Sequence, residues 1–101
     1  MSDSKTYSDI TPALWTAWER RLPRLATIMG ASDVEFDGGD VGQFCFRISL
    51  GVASGGFEFA YDYDRPAESV EITILKKPWM ITDGMIFSAI DKRIYEPGSP
   101  T

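Results

Sequence analysis

The sequence predicts an α+β fold. The expected form is a two-layer sandwich, with a four-stranded antiparallel meander sheet and an N-terminal and a C-terminal helix on one face, in the order α-β-β-β-β-α. Three observations predict it. Apolar and polar residues alternate from Phe44 to Leu50, from Phe57 to Asp64 and from Val70 to Ile74, the period-two signature of a half-buried sheet. Apolar residues recur every three or four positions before this region (Leu14, Trp18, Leu22, Leu25, Met29) and after it (Ile86, Ile90, Ile94), as on amphipathic helices. Turn-forming stretches separate the alternating runs at hairpin spacing: Asp37-Gly38-Gly39-Asp40, Gly51 to Gly56, and Arg65-Pro66-Ala67.

Each element has its own local justification. Met1 to Asp9 is polar and reads as a flexible end. Thr11 is a natural N-cap and Pro12 suits the first helical position, where its missing N–H costs nothing. Trp15 falls at the margin of the helical stripe. Pro23 lies inside it and is expected to kink or split the helix, and Gly30 is the natural stop. Val34 and Phe36 mark a short first strand. Simple hairpins then place Ile48 opposite Phe59 and Phe59 opposite Ile74. A second inner row joins Phe46, Tyr61 and Ile72, and a third joins Phe44, Tyr63 and Val70. After Lys76-Lys77 the last strand must end at Pro78, which cannot serve a central ladder. Thr82 caps the final helix, with Phe87 beside its isoleucine stripe, and Glu96 to Thr101 reads as a second flexible end. The 101 residues make one domain.

Composition narrows the function classes. A formal charge of −5 disfavours general binding to nucleic-acid phosphates. No apolar run is long enough for a membrane span, so no membrane insertion is expected. One cysteine allows no internal disulfide, and a free thiol with no visible secretory leader points to the cytoplasm. Histidine is missing altogether, and with it the commonest general base and metal ligand. No P-loop, paired CxxC motif or dinucleotide-binding glycine pattern occurs, so no catalytic residue, metal ligand or cofactor is assigned. Asp33-Val34-Glu35-Phe36-Asp37-Gly38 imitates the opening of a calcium loop, but its twelfth position is Phe44 and its flanks read as strands.

Two surfaces remain as candidates. On the outer sheet face, Asp62 is expected opposite Glu71, with Glu35 and Cys45 in the same row and Arg47 diagonal to Asp62. At the strand-to-helix junction, Trp79, Met80 and Met85 form an apolar group outside every regular stripe. Arg20, Arg21 and Arg24 collect on the first helix, which makes the domain electrically two-sided. The expected function is a non-catalytic protein–protein interaction module that binds another protein or a second copy of itself through Trp79, Met80, Met85, Asp62 and Glu71. The alternative is a carrier or sensor of a small apolar ligand held between the aromatic sheet face and the helices by Tyr61, Tyr63, Phe46, Phe59 and Trp18.

Overall fold

The computed structural model describes residues 3–28, 30–49 and 55–95. The described chain forms a five-stranded antiparallel sheet and two helices, one strand more than the alternation predicts. The elements are β1 (Asp3–Tyr7), α1 (Pro12–Ile28), β2 (Ser32–Phe36), β3 (Val41–Ile48), β4 (Gly55–Asp64), β5 (Ser69–Lys76) and α2 (Asp83–Arg93). The sheet order is β1-β5-β4-β3-β2, so β2 to β5 form the expected meander and β1 adds itself to the free edge of β5. The extra strand lies in the segment whose polarity reads as a flexible end. Asp3, Ser4, Lys5 and Thr6 are all exposed, as suits an edge strand, and Tyr7 alone is buried.

The pairing of β4 with β5 matches the expectation: Phe59 faces Ile74, Tyr61 faces Ile72, Tyr63 faces Val70 and Asp62 faces Glu71. The pairing of β3 with β4 does not. Phe44 faces Phe59 and Phe46 faces Phe57, and Ile48 lies opposite Gly55. The inner set of residues is unchanged, because a slip by an even number preserves the faces. Alternation alone cannot see such a slip. The corrected row on the outer face is therefore Glu35, Cys45, Glu58 and Lys76, while Asp62 has Val41 as its β3 neighbour and Arg47 faces Gly56.

The helix signals hold at their ends. Thr11 Oγ1 accepts the Leu14 N–H at 3.2 Å, and Thr82 Oγ1 accepts the Met85 N–H at 3.2 Å. Gly30 stops α1 in a left-handed conformation (φ 89°), where glycine pays no side-chain penalty. Pro23 does not split the helix, which runs unbroken from Pro12 to Ile28. The cost falls on the bond to the Glu19 carbonyl that a proline nitrogen cannot make. Met29 and Leu50 to Ser54 lie outside the described residues, as do the expected tail residues 96–101.

Both helices contact the sheet face that carries Tyr7, Tyr61, Tyr63 and Val70. The main core joins these residues to Ile10, Trp15 and Ile94, with Leu14, Trp18, Phe36, Ile72 and Ile90 packed around them. Trp15 is its centre rather than its margin: the indole stacks on Tyr63 at 4.9 Å and tilts against Tyr61 at 5.4 Å. Trp18 donates its indole N–H to the Ile94 carbonyl at 2.7 Å, tying α1 to the end of α2.

Candidate functional site

The polarity of the molecule runs along its strands. At one end the Asp37–Asp40 hairpin is stitched to every neighbour. Tyr61 donates its hydroxyl to the Gly38 carbonyl at 2.8 Å, and Trp15 donates its indole N–H to the Gly39 carbonyl at 3.3 Å. The Gly39 N–H donates to the Glu19 carboxylate on α1, and Arg65 grips the Asp40 carboxylate with two bonds of 2.7 and 3.0 Å. Asp37 receives the Gln43 N–H at 2.8 Å, so the acid at the calcium-loop-like stretch closes its own hairpin. Gly42 leaves room for this arrangement. A Cβ there would lie 2.7 Å from the Asp37 Cβ and 2.8 Å from the Tyr61 hydroxyl.

Tyr63 completes the stitching by donating its hydroxyl to the Ile10 carbonyl at 2.6 Å. Burial pushes the phenol pKa of both Tyr61 and Tyr63 upward, and Asp37 adds to the effect at Tyr61. Both hydroxyls remain neutral donors through the physiological range. These two tyrosines were candidates for an apolar ligand pocket, but the Trp15 ring already covers them. Trp18, a third candidate, spends its polar atom on Ile94.

The other end is looser. Phe46 stacks on Phe57 at 5.0 Å and lies 6.1 Å from Phe59, and Phe57 lies 6.2 Å from Phe59. Each of these rings is only half-buried. Beyond them the chain leaves β5 through Pro78, which is buried, and presents Trp79 with 88% of its surface exposed. The Ile81 N–H returns to the Pro78 carbonyl at 3.0 Å, and Lys77 donates to the Ile81 carbonyl at 2.7 Å while approaching Asp83 at 3.7 Å. Trp79 is thus carried on a closed turn held at both ends. Met85, in the first turn of α2, is 56% exposed, and Met80 is half-buried. Ile86, the next residue after Met85, lies a quarter-turn further round the helix and is buried.

Asp62 and Glu71 are brought together on the outer sheet face, directly across from each other and both exposed. They border an open depression of about 420 Å³ that also involves Asp37, Gln43, Ala60 and Thr73. Arg47 does not approach this pair as expected, since the β3 register carries it to the other end of the sheet. Cys45 lies between Glu35 and Glu58, where burial and then the two carboxylates raise its thiol pKa and suppress the thiolate. Among the described residues, no group of three or more His, Cys, Asp and Glu side chains converges as a metal site.

One cluster was not anticipated from the sequence. Asp91 on α2 accepts the Lys5 ammonium on both oxygens at 2.9 Å and the Tyr7 hydroxyl at 2.7 Å. The Tyr7 bond and then the Lys5 bond hold the Asp91 carboxyl below its usual range, while burial and the neighbouring carboxylate push the Tyr7 phenol far up. Comparison of the chain with family models, with curated proteins and with solved structures finds no match.

Proposed function

We propose that the protein is a non-catalytic interaction module that binds another protein chain through the Trp79 corner. The observation that carries this reading is Trp79 itself. A tryptophan left almost fully exposed forfeits more burial than any other side chain, yet here the turn beneath it is closed by Lys77, Pro78 and Ile81. A large rigid aromatic on a fixed turn loses little conformational freedom on binding, which is the property of an interface anchor. Met85, six residues on and also exposed, supplies an adaptable apolar side chain. The acidic outer face with Asp62 and Glu71 would steer a partner carrying positive charge, without supplying most of the affinity.

Among the described residues no helix is long and apolar enough to cross a membrane. The reading places the module in the cytoplasm, where the free Cys45 thiol would stay reduced. The test is a comparison of the natural chain with a Trp79→Ala/Met85→Ala variant. Partners are captured by cross-linking, identified, and titrated against both proteins by calorimetry. Loss of at least about 30-fold in affinity, with unchanged thermal stability, is expected for a central anchor. A partner that binds both forms equally removes the Trp79 corner from the function.

A further inference from the structure

The geometry points to the cleft between the β5 edge and α2 as a strand-acceptor site. β1 fills it in cis, and the β1 of a second copy of this chain fills it in reciprocal exchange. The acceptor is built from Val70, Ile72 and Ile74 on β5 and Asp91 on α2. It reads an extended segment by backbone pairing to β5, and by a basic and an aromatic side chain two positions apart, Lys5 and Tyr7, that meet the same carboxylate.

The chain is fastened immediately after the strand, independently of it. Ile10 is fully buried, its N–H donates to the Glu68 carbonyl at 2.8 Å, and its carbonyl receives the Tyr63 hydroxyl at 2.6 Å. Everything from Ile10 onward stays tied to the body when β1 leaves. What leaves is light: of the five residues of β1, only Tyr7 is buried. Between strand and anchor lie only Ser8 and Asp9, and Asp9 is held in the left-handed region at φ 61°. Aspartate tolerates that region better than most residues but less well than glycine, so release of the strand relieves a small penalty at the hinge.

The occupant follows from identity. A second copy offers the same Lys5 and Tyr7 to the same Asp91, so exchange conserves each contact that β1 itself makes, and a short hinge favours the open arrangement. This site is separate from the Trp79 corner and stands or falls independently of it.

Thr6 and Glu71 face each other directly across β1 and β5, at a spacing that suits a disulfide. In a Cys45→Ser background, chains carrying Thr6→Cys are mixed with chains carrying Glu71→Cys at high concentration. They pass through mild denaturant and are then oxidised. Exchange predicts a disulfide-linked pair of unlike chains, identified by mass, at roughly tenfold the yield of a control mixture of Thr6→Cys with Gln43→Cys, a position on the same outward face two strands away from β5. Equal yields overturn the proposal. Hydrogen exchange on the unmodified chain gives the second measurement. The β1 amides should exchange ahead of the Ile10 amide, and β1 protection equal to that of Ile10 overturns the proposal as well.

Discussion

At the Asp37–Asp40 end of the sheet, aromatic side chains carry hydrogen bonds; at the Trp79 end, among the described residues, they carry none. Trp15, Tyr61 and Tyr63 each bury a ring and spend a polar atom on a backbone carbonyl of a different segment, so that end is fixed by shape and by bonding together. Phe46, Phe57 and Phe59 at the opposite end stack on one another, half-buried, with no polar handle to fix their partners. Amphipathic aromatics specify a unique arrangement, whereas phenylalanines supply adhesion with less direction. The difference teaches where stability and recognition are separable. The stitched end is costly to alter and has little apolar surface to offer, while the phenylalanine end leads directly into the exposed Trp79.

Substitutions can break that contrast in graded steps. The largest effect is expected for Trp15→Ala, which opens a cavity beneath Tyr61 and Tyr63 and should cost about 3–5 kcal/mol in chemical denaturation. Next comes Gly42→Ala. The added carbon meets Asp37 and the Tyr61 hydroxyl, displacing the Tyr61–Gly38 bond, and should cost about 1–3 kcal/mol with local chemical-shift changes confined to the Asp37–Asp40 hairpin. Tyr63→Phe keeps the ring stack but leaves the Ile10 carbonyl unpaired, for about 1–2 kcal/mol in the same assay. At the far end of the scale, Trp79→Ala should change stability by no more than about 0.5 kcal/mol. A large loss there would mean that Trp79 packs within the fold, and the separation between the two ends would disappear.

The Asp91 clasp adds a pH-dependent term. Its carboxyl is held below the usual value, so its contribution is complete above about pH 4, the ordinary aspartate range, and is lost as pH falls through the lowered folded value. Asp91→Asn should therefore be less stable than the natural chain at pH 7, and the gap between the two should shrink as pH falls below the ordinary aspartate range. Denaturation midpoints across that range check it.

The inner and outer faces of β3, β4 and β5 were legible because alternation is a local property that burial of one face imposes residue by residue. The β3–β4 register was not, since sliding by an even number of residues leaves every face intact. β1 was hidden for a related reason. Asp3 to Thr6 stand on an edge and bury almost nothing, so their sequence carries the polarity of solvent rather than the period of a strand. Trp15 falls at the margin of the stripe that Leu14, Trp18 and Leu22 define by spacing, yet those three are only half-buried and Trp15 is the buried one. Of the candidate sites, Asp62 stands opposite Glu71 as the residue pattern puts it, whereas the exposure of Trp79 was not legible in that pattern. The Asp91 cluster joins residues 86 positions apart and has no local signature.

That separation also orders events in time. During synthesis β1 emerges first, while its partner strand and then Asp91 emerge among the last described residues, so β1 has nowhere to dock until the meander and α2 exist. Pairing of β2 through β5 closes only short loops, whereas seating β1 closes a span of most of the described residues and pays its entropy late. A short strand whose exposed residues are Asp3, Ser4, Lys5 and Thr6 is well suited to that wait, because it stays hydrated and offers a nascent neighbour little to aggregate with.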